Sequence, residues 1–478
     1  VHASVTSAEL LARLKTSLDP DGVITDPEVL PSYERDMMPL APYGTPLAVV
    51  LPRTTEQVQA VVRACAQHGV PIVPRGAGSG LSGAANAIDG CVVLVTTRMN
   101  AILEIDPDNR LAVVEPGVIN LDLRGAVEKH GLFYPPDPSS YDWCTIGGNV
   151  ATNAGGLCCV KYGVTTDSVI GLRVVLADGE VLDTGRRTVK GVAGYDLTKL
   201  FIGSEGTLGV ITRATLALRP LPQAPGTLAA AFDSTAAAGA AVSRVVREGI
   251  VPSLMEIMDA TAIAAVEAHL KTEVGAGSGS AALLICQSDA GGDAARRELA
   301  AVERICQDAG ATLAHTTFDL AEGALLLTAR RAVLTALETY GAWLTDDVCV
   351  PRTKITDLIA GCERISAEVG LRVAVVGHAG DGNMHPTIVY DPTSADEFAR
   401  AQRAFDDILD LGLRLGGTIT GEHGVGKIKR EWLAREIGPV GLRVHRAVKA
   451  ALDPGDLFNP GSMFAPGDDK IIDAPEQD

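Results

Sequence analysis

The sequence predicts a layered protein of mixed helices and strands in two or three domains, and three observations carry that prediction. A chain of 478 residues is longer than a single hydrophobic core usually serves. Between residues 70 and 212, three glycine-rich stretches hang on strand-like runs. From about Pro220 onward, alanine-rich helical segments alternate with short strands, the pattern of a layered α/β or α+β domain. With 46% apolar residues but only 4% aromatic ones, the cores must be built from Val, Leu, Ile and Ala.

Taken in order, Ala8–Leu18 reads as an amphipathic helix, followed by a loop rich in Pro and Asp. Pro46–Arg53 reads as a strand, and Thr54-Thr-Glu-Gln as a capping box. The helix it opens shows Val58, Val61, Val62 and Cys65 on one face and stops at Gly69. Val70–Val73 returns as a strand, which completes a β-α-β unit. Next comes Pro74-Arg-Gly-Ala-Gly-Ser-Gly-Leu81. Gly76, Gly78 and Gly80 let the backbone approach a phosphate closely. A dinucleotide fingerprint would run straight into a helix, whereas here the chain continues as loop to the strand Cys91–Thr96. Taken alone, this stretch reads equally well as a surface turn.

The second stretch, Thr145-Ile-Gly-Gly-Asn-Val-Ala-Thr-Asn-Ala-Gly-Gly, follows Asp137-Pro-Ser-Ser. It resembles a linker in composition, but Ile146 and Val150 are residues that a solvated linker lacks. Lys161-Tyr-Gly, the strand Val169–Ala177, a turn at Asp178-Gly179 and the strand Glu180–Asp183 come next. In the third stretch, Gly203-Ser-Glu-Gly-Thr-Leu-Gly-Val-Ile-Thr, Gly206 and Gly209 lead into a strand. Together the three suggest backbone wrapped along an extended diphosphate cofactor. Beyond Pro220, strands are expected at Gly226–Phe232, Leu254–Met258, Ala281–Gln287, Thr312–Thr316, Trp343–Val350, Arg372–Gly377 and Thr387–Tyr390. Helices are expected at 234–248, 260–272, 292–309, 320–339, 353–369 and 394–415, with a loose loop at Gly275–Ser280. After Gly424 a short helical region ends in Leu452-Asp-Pro-Gly-Asp-Leu-Phe-Asn-Pro-Gly, a set of tight turns, and an acidic tail follows Pro466.

Chemistry concentrates in Val376-Gly-His-Ala-Gly-Asp-Gly-Asn-Met-His-Pro and Gly421-Glu-His-Gly. His378 and His385 flank a Gly-Asp-Gly-Asn turn between two strand-like runs, where Gly380 and Gly382 are expected to supply unusual backbone angles. Two imidazoles and the Glu422 carboxylate form an open divalent-metal set, and His423 is left over for proton transfer. The plainer alternative is two core histidines beside a hairpin and an exposed Glu-His pair. Asn383 either hydrogen-bonds a ligand or tolerates left-handed geometry in the turn. A small anionic substrate of this acidic chain, with a formal charge of −18, needs a local cation. Arg330 and Arg331 are adjacent on a helix and point about 100° apart, so one of them faces a site; Arg352 is a further candidate.

The same charge argues against nucleic acid or an anionic membrane as an electrostatically attracted partner. Nine cysteines without a CxxC array suit reduced, mostly buried thiols and exclude an internal iron–sulfur cluster of the usual spacing. No apolar run is long enough to span a membrane and no signal peptide is evident. The expected location is cytoplasmic, with a position peripheral to a membrane as the alternative.

The motifs PRGAGSGLSG, PPDPSS, IGGNVATNAGG and LFIGSEGTLGVIT, in this order, resemble the FAD domain of the p-cresol methylhydroxylase/vanillyl-alcohol oxidase type. VVGHAGDGNMH and GEHGVG are similar to one branch of it: FAD-linked D-lactate dehydrogenases, the glycolate oxidase flavoprotein subunit and D-2-hydroxyglutarate dehydrogenases. The resemblance covers residues 40–465. It implies an α+β protein with a two-subdomain FAD-binding domain (45–220) behind a helical leader (1–44). An antiparallel-sheet substrate/cap domain (221–424) and a C-terminal segment returning to the flavin domain (425–478) complete it.

By the same resemblance, Pro74, Arg75, Gly76, Ala77, Gly78, Ser79, Gly80 and Leu81 lie along the FAD pyrophosphate. Asp137 is a further cofactor residue; Thr145, Gly147, Gly148, Asn149, Thr152, Asn153, Gly155 and Gly156 belong to a region near the isoalloxazine, with Tyr162 and Gly163 following. Glu205, Gly206, Gly209, Val210 and Ile211 complete the cradle, Ile211 near the adenine half, and Asn459 comes near the cofactor as the chain returns. Covalent members of the superfamily carry a flavin-linked histidine where Ser79 stands, which implies dissociable FAD.

The implied reaction is oxidation of a 2-hydroxy acid chelated to a divalent metal (Zn, Mn or Fe) on His378, His385 and Glu422. Hydride passes to FAD, the carboxylate sits on Arg330, and Arg331 faces solvent. His423 takes the hydroxyl proton or orients a ligand, and Asn383 contacts substrate or a metal-bound water. Leu344–Pro351 looks like the D-lactate branch, since a lysine for a second carboxylate would fall near Thr345. D-lactate is favoured; glycolate and D-2-hydroxyglutarate are alternatives, and D-stereochemistry comes from the resemblance alone. A flavin-dependent transferase, a metallohydrolase and a non-catalytic flavoprotein are the other readings. The electron acceptor would be a quinone, a cytochrome, an electron-transfer flavoprotein or an iron–sulfur subunit, and the assembly considered is a homodimer.

Overall fold

The computed structural model describes residues 2–272, 274 and 279–465. Most of the loop expected at Gly275–Ser280, and the acidic tail expected beyond Pro466, lie outside the described residues. The chain forms two compact units. The first combines Val1–Gly155, Val164–Leu221 and Glu422–Asp478; the second combines Gly156–Gly163 and Pro222–Gly421.

In the first unit the β-α-β expectation yields a four-stranded sheet. Ala48–Val50 and Ile72–Arg75 both lie parallel to Val92–Val95, and Val23–Ile24 forms the far edge. The strand expected over Pro46–Arg53 is only three residues long. The helix Thr55–His68 buries Val58, Val61, Val62 and Cys65 against Leu10, Leu14, Ile72 and Leu94. Its Thr54 cap accepts Gln57 N at 3.2 Å, but Gln57 Oε1 accepts Arg53 N at 2.7 Å rather than closing the box on Thr54. Gly69, at φ +63°, ends the helix.

A second sheet of this unit is wholly antiparallel, in the order Ile102–Asp106, Leu111–Val114, Val210–Ala217, Val169–Val175, Val181–Gly185. Val114, Leu172, Ala214 and Leu216 share a core with Leu123, Ile146, Val150 and Phe201. The glycine-rich stretch from Thr145, linker-like in composition, is helical over Ile146–Thr152, capped by Thr145 and closed by Asn153 at φ 54°. Ile146 and Val150 stand one turn apart and are both fully buried, and that burial outweighs the poor helix propensity of Gly147 and Gly148.

The C-terminal part of this unit is also more helical than expected. Arg430–Leu452 comprises two helices that meet at the non-helical Gly438 (φ 70°), where Pro439 has no N–H to continue the ladder. The turns after it are pinned by Asp453, which accepts Leu457 N at 2.9 Å and Phe458 N at 2.7 Å. The chain then joins the edge of the parallel sheet: Ile72 N donates to Leu457 O, and Asn459 N to Ile72 O, both at 2.8 Å.

The second unit is built on one antiparallel sheet in the order Ala311–Thr317, Gly226–Phe232, Ala282–Ser288, Leu254–Asp259, Arg372–His378, Asn383–Tyr390, Ala342–Thr345. Val348–Cys349 pairs beyond it on Asn383–Tyr390. Ala229, Leu254, Met258, Leu283, Ala374 and Val376 face the helices Ala260–Leu270, Leu320–Arg331 and Val333–Glu338. The strand expected over Trp343–Val350 breaks at Asp346-Asp347, and the helix expected over 320–339 breaks at Ala332. The last expected strand starts earlier, at Asn383, which places His385 within it. All nine cysteines are free thiols, six of them buried. Among the described residues no helix is long and apolar enough to cross a membrane.

Asp259 caps the helix Ala260–Leu270, accepting Ala262 N at 2.8 Å, and burial pushes its carboxyl up to about 7. Because the folded value lies above the unfolded one, stability falls as pH rises from about 4 to about 7 and stays lower above that. Asp259→Asn keeps a capping acceptor without the charge. It should match the parent below pH ~4 and exceed it by roughly 1–3 kcal/mol at pH ~8. Thermal midpoints across that range check the crossover, and parallel pH profiles would exclude it.

Candidate functional site

Within the first unit the three glycine-rich stretches converge. A Cβ at Gly76 would collide with Thr145 Oγ1, and one at Gly206 would press on the Pro74 ring at 3.1–3.3 Å. Gly203 N donates to Val150 O at 2.9 Å and Glu205 N to Ala151 O at 2.8 Å. Gly78, at φ +83°, makes room for the Arg75 guanidinium. Arg75 is buried and turned inward, donating to Arg35 O at 2.9 Å and Ala85 O at 3.3 Å. Gly80 and Gly148 are also tight: an added Cβ would stand 3.3 Å from Asp36 Oδ2 and 3.2 Å from Thr145 Oγ1. A cradle of bare backbone, at glycines where a side chain would crowd its neighbours, fits a diphosphate cofactor. Ala77, Ser79 and Leu81 are half-buried along the same loop.

Several expected cofactor residues spend their side chains on the cradle itself. Asn149 is buried against Asn120 Nδ2 at 3.2 Å and Cys144 Sγ at 3.2 Å. Thr152 Oγ1 donates to Gly148 O at 3.1 Å, and Asn153 Oδ1 accepts Thr166 N at 2.9 Å. Asp137 and Gly147 are buried, Gly147 against Pro116. Gly209 abuts Val174, while Val210 and Ile211 point into core. Gly156, Tyr162 and Gly163 belong to the other unit, where Tyr162 Oη and Lys161 Nζ bond Asp289.

Glu205, at φ 52°, is buried and accepts Val425 N at 2.6 Å and Gly426 N at 2.7 Å. Burial raises its carboxyl to about 7 despite both bonds. It thereby fastens the segment that carries Glu422 and His423, both half-buried. Glu422 lies against Gly155, where a Cβ would collide with its carboxylate. Lys427 N donates to Ser82 O at 2.9 Å and its Nζ to Asn86 O at 2.6 Å. Asn459 Nδ2 donates to Ala84 O at 2.7 Å and to Glu205 O at 2.9 Å.

The second unit holds the two histidines. His378 ends one strand, and the turn Ala379–Gly382 returns the chain so that the two Nε2 atoms lie 3.4 Å apart. Of the turn glycines, only Gly382 has positive φ (+95°); Gly380 is required because Val160 packs where its Cβ would be. Asn383 has ordinary strand geometry, so the left-handed alternative for it is wrong. Its side chain is buried against Gly421.

Two carboxylates that sequence reasoning did not single out complete this cluster. Glu256, fully buried, stands opposite His378 in the register; Oε1 accepts His378 Nδ1–H at 2.6 Å and Oε2 accepts Arg330 Nε–H at 2.8 Å. Burial opposes its ionisation, but His378 and Arg330 outweigh burial and hold the carboxyl below its ordinary value. Asp347, also fully buried, accepts Thr420 Oγ1 at 2.6 Å and Gly421 N at 3.0 Å, with Oδ1 3.9 Å from His385 Nδ1. The available signals were a lone Glu inside the apolar run Ser253–Met258 and an Asp pair interrupting Trp343–Val350. Arg330 is buried, while Arg331 and Arg352 are exposed.

Two nitrogen ligands about 2.1 Å from a tetrahedral ion stand about 3.4 Å apart, the spacing of the two Nε2 atoms. A carboxylate on the far nitrogen of a ligating histidine is the usual outer support. The two imidazoles therefore fit a divalent ion.

Residues 46–185 match the FAD binding domain family, and residues 221–463 match the C-terminal domain of FAD linked oxidases. Glycolate oxidase subunit GlcD of Bacillus subtilis is 43% identical over 88% of this chain and 89% of its own length. This chain belongs to the FAD-linked D-2-hydroxyacid dehydrogenase family. A D-lactate dehydrogenase of Anaerostipes hadrus is 34% identical over 95% of this chain and 97% of its own. The structure of p-cresol methylhydroxylase superposes with a TM-score of 0.81 at 21% identity, over 96% of this chain and 97% of that one. The family member described here is thus a FAD-dependent oxidoreductase with the vanillyl-alcohol oxidase type of fold.

Glu205→Ala leaves two buried N–H groups without their acceptor, which should cost about 2–4 kcal/mol. The variant should unfold at lower denaturant and lose FAD on gel filtration. An unchanged midpoint would show that these bonds do not hold the unit together.

Proposed function

We propose that this oxidoreductase converts a small D-2-hydroxy acid, D-lactate foremost, to the 2-oxo acid with a divalent ion at His378, His385 and Glu422. The observation that carries the reading is the cluster in the second unit. His378, whose Nε2 lies 3.4 Å from His385 Nε2, shares the buried Glu256 carboxylate with the buried cation Arg330. Bound FAD supplies the hydride acceptor, and a divalent ion supplies a Lewis acid that lowers the pKa of the substrate hydroxyl.

The chain's own groups divide the remaining work. Arg330 commits Nε to Glu256 and offers its two Nη groups to the substrate carboxylate, an arrangement suited to paired hydrogen bonds. His423 takes the hydroxyl proton, a task for an imidazole that is neutral near pH 7. Asn383 donates a hydrogen bond to substrate oxygen. Thr345, buried and bonded to Thr387 at 3.1 Å, supplies no cation for a second carboxylate, which supports a monocarboxylic acid. Glycolate is the second reading, favoured by the higher identity to the relative named glycolate oxidase subunit.

We further read 45–220 as the FAD domain, 221–424 as the substrate/cap domain and 425–478 as its C-terminal return, behind the leader 1–44. The FAD residues are those of the three glycine-rich stretches together with Asn459. Reduced flavin would pass electrons to a quinone, cytochrome, electron-transfer flavoprotein or iron–sulfur partner from a cytoplasmic or membrane-peripheral position.

Anaerobic addition of D-lactate should bleach the flavin absorbance, with glycolate slower and L-lactate and D-2-hydroxyglutarate inert. Chelator treatment should abolish bleaching, and added zinc, manganese or iron should restore it. Bleaching that survives exhaustive chelation would remove the metal from the reading, and a flavin reduced by none of these acids would remove the substrate class. With Ser79 in the first loop, acid precipitation should leave the FAD in the supernatant; yellow colour retained in the pellet would show a covalent link.

A further inference from the structure

We infer that Glu256 is a positioning residue that fixes the metal-facing nitrogen of His378 and the anion-binding edge of Arg330 through one carboxylate. This rests on the ligand and carboxylate-binding roles proposed above for those two residues. Glu256 lies in the central strand Leu254–Asp259, directly opposite His378 in the antiparallel register. It has no solvent exposure. Each carboxylate oxygen has one partner: His378 Nδ1 at 2.6 Å on Oε1, and Arg330 Nε at 2.8 Å on Oε2.

The first contact selects a tautomer. A carboxylate can only accept, so Nδ1 carries the proton and the lone pair is left on Nε2, the nitrogen facing His385 Nε2 at 3.4 Å. The second contact orients a guanidinium. With Nε held, rotation about the side chain's last bonds is blocked, and the Nη edge keeps one direction. A histidine at a strand end and an arginine in the last turn of Leu320–Arg331 come from separate elements. A single rigid acceptor between them sets both directions at once.

Glu256→Gln preserves shape but cannot accept on both sides. An amide NH₂ turned toward His378 would move the imidazole proton to Nε2; turned toward Arg330 it would set donor against donor. The dissociation constant for zinc, read on the FAD-loaded protein by competition with a chromophoric chelator, should rise about 10- to 100-fold. KM for the hydroxy acid should rise with it. Arg330→Met keeps the Glu256–His378 contact, so its zinc affinity should stay within about threefold of the parent while KM rises.

A second measurement needs no folded Glu256 variant. In the metal-free parent, nitrogen-15 spectra should show His378, assigned by its loss in His378→Asn, protonated at Nδ1 and bare at Nε2. Glu256→Gln that binds zinc like the parent and only loses thermal stability, or His378 protonated at Nε2 in the parent, overturns the inference. Parent protein that takes up no divalent ion overturns the metal reading and this inference together, and is told apart because the failure precedes any substitution.

Discussion

The first unit depends on one buried carboxylate that joins segments far apart in the chain. Glu205 reaches Val425 N and Gly426 N, 220 and 221 residues away, and Asn459 closes the same junction from the end of the chain. These are charge-assisted bonds to backbone donors in a dry place, where they are strong when made and costly when broken. Lys449 does similar work nearby: it pairs with Asp453 and donates to Thr207 O and Phe458 O, both at 2.9 Å. The glycine-rich cradle keeps its shape because its ends are tied in this way.

The two buried glutamates show how surroundings decide ionisation. Glu205 meets mainly neutral N–H donors, and burial wins, raising its carboxyl to about 7. Glu256 is equally dry but stands between an imidazole and a guanidinium, and there charge wins over burial. The distinction follows from partner charge and not from depth. It matches the contacts each residue makes: one clasps backbone, the other holds side chains from two separate elements.

Much of this was legible in the sequence, because hydrophobic period and turn residues act locally. Gly226–Phe232 formed over the expected residues, and the Gly-Asp-Gly-Asn turn brought His378 to His385. The linker-like stretch from Thr145 is a helix because Ile146 and Val150, the two residues a linker would lack, are buried in a core, which glycine content cannot reveal. Glu256 and Asp347 escaped notice for a related reason. Their partners lie 122 residues away in His378 and 73 in Thr420, and no local pattern encodes such pairings. Gly380 was misread as a conformational glycine when its role is close packing against Val160.

The discontinuity of the first unit bears on its biosynthesis. Its strands and glycine loops leave the ribosome early, but the partners of Glu205 and Ile72 belong to Glu422–Asp478. The second unit needs nothing beyond Gly421 to assemble its sheet. Domains close as units while synthesis proceeds, so the second unit holds all the strands of its sheet before Glu205 and Ile72 of the first unit meet Val425, Gly426 and Leu457.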